Sequence, residues 1–138
     1  MTQESFIEKH KIERFSPLVL AYVGDSVYET YIRTMLARGV AGSVHKLHTE
    51  ATSYSKCASQ ADVARFIYDR LSIEEQDVVR RGRNTNSGYV PKHADVSEYR
   101  HATGFEALIG YLHLNGDNKR LNEILNMAVE RVNSREKK

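Results

Sequence analysis

The chain has 138 residues, 41% hydrophobic and 28% charged, a globular balance with enough apolar mass for one core. Twenty Lys/Arg against eighteen Asp/Glu leave a formal charge of +2, too little to mark a nucleic-acid binder by charge alone. No apolar run approaches the roughly 20 residues that span a bilayer, and the polar N-terminus lacks the apolar core of a secretory signal. Cys57 is the sole cysteine and has no intrachain partner, so the chain is expected to be cytoplasmic, without a membrane partner.

Ser16-Pro17 predicts a helix start, a hydroxyl N-cap followed by proline at the first helical position. The helix should run to about Ala37, with Gly39 as its stop. Its apolar residues, among them Leu20, Val23, Val27, Tyr28 and Ile32, cover more than one face, the pattern of a helix buried on several sides. Either it is the central helix of a monomer, or a second copy of the chain covers part of it. In its middle stand Gly24 and Asp25. An unpaired charge in such surroundings costs on the order of several kcal/mol, so Asp25 needs a partner.

From Gly42 to Cys57, Val44, Leu47, Ala51 and Tyr54 recur at three- and four-residue steps, an amphipathic helix. Ser59 to Leu71 repeats the pattern with Ala61, Ala64, Ile67 and Leu71, and the two segments form either one bent helix or two. His45 and His48 share a face, but no acidic or cysteine cluster completes a metal site there. Cys57 reads as a small packing residue. Ser72-Ile73-Glu74-Glu75 has the form of a capping box and predicts a short helix to Arg81, ending at Gly82.

Residues 83–94 are the one long stretch without a helical period, and loops of that length in a compact domain are usually functional or disordered. From Arg80 to Arg100, five Lys/Arg stand against two acids, a local excess of +3 that leaves the rest of the chain at −1. Arginine, asparagine, hydroxyls and tyrosine there suit phosphate and ribose contacts. The next helix starts at Asp95 or Ser97, runs through Phe105, Leu108 and Leu112, and breaks at Asn115-Gly116. Glu106 lies inside its apolar pattern. A last helix spans about Asn118 to Val132, and the polar tail from Asn133 is expected to fray. With no strand-like alternation, no repeat and no linker, the chain is expected to be all-α and one domain, residues 1–138, with a core of about 12–132.

Asp25 and Glu106 have no basic residue at i±3 or i±4 on their own helices. One solution is that they face each other around a divalent cation, for which oxygen-only ligation suits Mg²⁺. The other is two separate buried ion pairs with arginines elsewhere. Glu29, one turn after Asp25 on the same face, offers a further metal ligand or a simple ion pair.

Tyr22-Val23-Gly24-Asp25-Ser26-Val27 resembles the signature helix of the ribonuclease III family, in which a hydrophobic pair precedes Gly-Asp-Ser/Ala. Glu106-Ala107-Leu108-Ile109-Gly110 resembles that family's second acidic motif, eighty-one positions on. With Arg81-Gly82-Arg83-Asn84, and with about 12–132 covered, the chain resembles the catalytic-domain-only branch of the family.

The resemblance implies the ribonuclease III endonuclease-domain helical fold and a homodimer packed on the signature helix. It implies an Mg²⁺-dependent endoribonuclease, with Mn²⁺ as a substitute, that cuts both strands of double-stranded RNA and leaves 5′-phosphate and 3′-hydroxyl ends. Asp25 and Glu106 match the family's metal-binding carboxylates. Two further acids of full-length members fall near Leu18 and at Thr103, which argues against a tightly held two-metal site. With no room for a separate RNA-binding domain, Arg80, Arg81, Arg83, Asn84, Lys92 and His93 are the candidate RNA contacts. The implied role is maturation of 23S ribosomal RNA precursors, with a large-subunit ribosomal protein as a possible partner. The competing expectation is a catalytically weak or inactive RNA-binding relative associated with the ribosome.

Overall fold

The apolar run from Ala102 to Leu112 becomes the axis around which the other helices are laid. In the computed structural model, residues 15–39, 41–85, 90 and 92–136 are described, and among them the architecture is all-α with no strand. Six helices follow in order: α1 (Pro17–Gly39), α2 (Val44–Ser55), α3 (Cys57–Ile67), α4 (Ile73–Asn84), α5 (Val96–Leu114) and α6 (Asn118–Glu136). A 3₁₀ turn, Tyr68–Arg70, joins α3 towards α4.

Local chemistry sets most of the boundaries. The Ser16 hydroxyl accepts from the Val19 amide at 3.1 Å ahead of Pro17. Ser43 caps α2 and Asp95 caps α5 in the same way. Ser72 and Glu75 close a reciprocal capping box at the start of α4. Gly116, with φ +72°, turns the chain out of α5 in a conformation that favours glycine. Lys56 is extended, with ψ 151°, so α2 and α3 are two helices rather than one bent one.

Two expected boundaries are corrected. Gly82 does not end α4, which continues to Asn84 and so takes in Arg83 and Asn84. Gly82 is an interior residue packed against α5, where a Cβ would lie 2.9 Å from Gly104 Cα. The tail does not fray at Asn133: α6 runs to Glu136. Tertiary bonds hold that turn, since the Tyr54 hydroxyl donates to Asn133 at 2.6 Å and Arg135 pairs with Asp62 at 3.0 Å.

Helix α5 packs on α1, α3 and α4, and α6 closes the far side of the core. Tyr28 and Phe105 meet edge to face at 5.1 Å between ring centroids, both fully buried. Each such side chain contributes about 2–3 kcal/mol of burial. The α1–α5 crossing depends on two glycines. A Cβ on Gly24 would overlap the Glu106 carbonyl oxygen, and one on Gly110 would overlap that of Leu20. The two backbones therefore touch where Asp25 and Glu106 emerge.

Within one copy of the chain α1 is buried on several sides but not on all. Leu20, Tyr28 and Ile32 enter the core, but Tyr22 is 82% and Val19 44% exposed. Asp25 is exposed too, because it stands on that outward side of the helix. No described helix is long and apolar enough to cross a membrane.

Candidate active site

Glu106 follows Phe105 and precedes Ala107, both fully buried, so the helix aims it at the α1 crossing rather than at open solvent. Its carboxyl is pushed up to about 9, first by burial, then by hydrogen bonding and like charge from Asp25. The Gln60 side chain lies within hydrogen-bonding reach of the same group and draws it partly back. No arginine or lysine of the described residues is among the groups that set it. The two acids are thus brought together across α1 and α5, and among the described residues neither forms an ion pair with an arginine or lysine.

A like-charged pair without a cationic side chain has the donor set of a hard divalent cation. Mg²⁺ takes one or two protein carboxylates and completes its shell with water. Among the described residues, no three His, Cys, Asp or Glu side chains gather at one point. That fits such a sparse oxygen site and does not fit a closed zinc centre, which takes four ligands. Thr103, where a further acid is expected from the resemblance, turns its hydroxyl back to donate to the Tyr99 carbonyl at 2.9 Å. It adds no ligand, and neither does Leu18, which is apolar.

Glu29 pairs with Arg33 at 2.8 Å, one turn further along α1. Cys57, at the first position of α3, is half-buried beside the site. Burial, then the neighbouring Glu106 and Glu98, push its thiol up, which disfavours a reactive thiolate. Sequence reasoning missed Gln60, 3% exposed. The available signal was its polarity on the stripe shared with Ala64 and Ile67, one and two turns on.

Of the expected RNA contacts, Arg81 and Asn84 are exposed and Arg83 half-buried in the last turn of α4. That turn is docked by Gly82 onto Thr103, Gly104 and Ala107, immediate neighbours of Glu106 in α5. Lys92 and His93 are exposed in the turn that leads into α5. Arg80 is already engaged, by Asp77 at 3.2 Å and by the Tyr68 hydroxyl at 3.2 Å. Residues 86–89 and 91 of the expected loop lie outside the described residues.

Known proteins resemble this chain over most of its length. The family model of the Ribonuclease III domain matches residues 18–117, a span that includes both acids. A protein of Thermoanaerobacter sp. (strain X514) named Mini-ribonuclease 3 is 48% identical over 124 residues, 90% of this chain and 87% of that protein. The Mini-ribonuclease 3 of Symbiobacterium thermophilum is 45% identical over 114 residues, 83% of this chain and 88% of its own length. That of Staphylococcus aureus is 35% identical over 130 residues, covering 93% and 97%. The crystal structure of protein FN1578 from Fusobacterium nucleatum superposes with a TM-score of 0.78 at 25% identity, over 86% of this chain and 95% of that one.

Proposed function

The chain belongs to the ribonuclease III family, in its Mini-ribonuclease III branch, and is an endoribonuclease; from that premise we propose that Asp25 and Glu106 hold a divalent cation, Mg²⁺ by preference and Mn²⁺ in its place, for the hydrolysis of double-stranded RNA. The observation that carries this reading is the like-charged pair at the glycine crossing, with no cationic side chain among the described residues to neutralise it.

When bound, the cation supplies a Lewis acid for the phosphoryl oxygen and a water of lowered pKa. The protein supplies placement. Gly24 and Gly110 let the backbones touch, so that Asp25 and Glu106 enter the site from two rigid helices. Burial and the neighbouring Asp25 push the Glu106 carboxyl up to about 9, so a bound cation would compete with a proton at that oxygen. One acid from each helix, without further ligands from Leu18 or Thr103, argues for one firmly held ion per protomer. Glu29 belongs to its pair with Arg33 rather than to the metal.

Duplex RNA is held by Arg81, Arg83, Asn84, Lys92 and His93, through phosphate and 2′-hydroxyl groups, since A-form RNA presents shape rather than readable base edges. Arg80 keeps to Asp77 and Tyr68. The exposed Val19 and Tyr22 on α1 supply apolar surface for a homodimer, with each protomer cutting one strand to leave 5′-phosphate and 3′-hydroxyl ends. The cellular substrate we assign is a 23S ribosomal RNA precursor in the cytoplasm, with a large-subunit ribosomal protein as the accessory partner.

The test is incubation of a long duplex RNA with protein and Mg²⁺ beside Asp25→Asn and Glu106→Gln. Cleavage by the wild type alone supports the reading. Undiminished cleavage by either variant, or by the wild type with all divalent metal chelated, refutes it. Sedimentation at micromolar concentration tests the dimer, and a stable monomer contradicts it.

A further inference from the structure

Gln60 is a buried polar side chain that the proposed reaction does not use. It lies in the first turn of α3, on a helix whose other buried residues are Ala61, Val63, Ala64 and Ile67. Its Nε2 donates to the Ser55 carbonyl at 3.0 Å, across the break between α2 and α3. Ser55 is the last residue of α2, so its carbonyl has no donor within that helix. The same side chain lies within hydrogen-bonding reach of the Glu106 carboxyl, on which it acts to lower the pKa. An amide nitrogen has two hydrogens, enough for both acceptors at once.

What remains is Oε1, the one buried side-chain oxygen or nitrogen without a hydrogen-bond partner among the described residues. Burying an acceptor in that state is unfavourable, and an apolar side chain of the same shape would avoid it. A group kept at the expense of stability beside a reactive carboxyl is the pattern expected of a site rather than of a core.

The anchor is rigid. Lys56 is extended and redirects the chain, and the Ser59 hydroxyl donates to the Ser53 carbonyl at 2.6 Å, so two α3 side chains tie the break to the end of α2.

We propose that Gln60 is a positioning residue: it pins the Glu106 carboxylate to the fixed carbonyl of Ser55 and so presents, with Asp25, a pre-set pair of oxygens to the divalent cation. This inference rests on the metal reading of Asp25 and Glu106 given above. Glu106 stands on a rigid helix, but its side chain has rotatable bonds, and Gln60 removes that freedom before the cation arrives. Supporting partners of metal ligands typically change affinity by about 10- to 100-fold when removed.

The experiment is a Mn²⁺ titration of the whole protein, without RNA, followed by the electron paramagnetic resonance of free Mn²⁺. Wild type is compared with Gln60→Met and Gln60→Leu, and thermal unfolding of each is recorded in the metal-free state. The expected result is a Mn²⁺ dissociation constant raised about tenfold or more in both variants, with no fall in unfolding temperature. Affinity within twofold of wild type overturns the proposal. So does a loss of affinity that tracks a falling unfolding temperature, because that marks a helix cap and nothing more. Wild-type protein that binds no Mn²⁺ refutes the metal reading, and this inference with it; intact wild-type binding with unchanged variants refutes only the role of Gln60.

Discussion

Replacing Gly24 with alanine adds one methyl group at the point where α1 and α5 touch. That Cβ would overlap the Glu106 carbonyl oxygen and lie 2.7 Å from its carbon and 2.8 Å from the Gly110 nitrogen, well inside the 3.4 Å of ordinary contact. All three are main-chain atoms, so no side chain can rotate away. The helices must part by about 1 Å, a misplacement that costs a catalytic constellation roughly a hundredfold in rate. Overpacking of this kind costs about 1–3 kcal/mol, against about 1 kcal/mol gained from alanine's better helix propensity. We expect a net destabilisation together with near-complete loss of duplex RNA cleavage. Gly39→Ala is the control: a Cβ there meets nothing within 4 Å, so stability and cleavage should be unchanged or slightly improved. Urea unfolding of the metal-free proteins and initial cleavage rates in Mg²⁺ provide both readouts. A Gly24→Ala protein of wild-type stability and rate would refute the argument that this crossing sets the two acids.

Three further outcomes are expected. Glu106 has an ordinary value of 4.5 and a folded value of about 9. Within that window the folded protein holds a proton that the unfolded chain lacks, so metal-free stability should fall as pH rises through it. Glu106→Gln should flatten the dependence, as followed by the urea midpoint across the same range. Arg120 grips Glu75 with two bonds of 2.9 Å and donates to the Arg70 carbonyl at 2.9 Å. Arg120→Ala should therefore cost about 2–3 kcal/mol of unfolding free energy, because it strands a nearly buried carboxylate. Glu75 is held below its ordinary range chiefly by Arg120, so this stabilisation should be present above that range and fade as acid is added. Replacing Arg81 and Arg83 together should weaken RNA binding and reduce its salt slope by up to about two units, and an unchanged slope would remove the α4 terminus from the RNA interface.

The helices were legible because short polar signals mark their ends. Ser16-Pro17, the box from Ser72 to Glu75, Asp95 and Gly116 each act within a few residues of themselves. The misread boundaries depend on distant partners. Gly82 looks like a stop, yet it is the small residue that lets α4 approach Gly104. Asn133 looks like the start of a frayed tail, yet Tyr54 holds it from seventy-nine positions away. The pairing of Asp25 with Glu106 was legible in part, through the difficulty of placing an acid among apolar neighbours. Glu106 meets that difficulty, since burial is the first cause that pushes its carboxyl up. Asp25 is instead exposed, because part of α1 carries more apolar surface than this chain's own core takes up. Gln60 was passed over because periodicity arguments follow the apolar members of a stripe and skip its one polar member.

The proposed chemistry requires a cation held between Asp25 and Glu106. Crystals grown with Mn²⁺ and measured at its absorption edge address this directly. The expected result is an anomalous peak with an oxygen of each carboxylate within about 2–2.3 Å, lost in Glu106→Gln. A peak bound to other side chains, or none at saturating Mn²⁺ in protein that still cleaves duplex RNA, would contradict it.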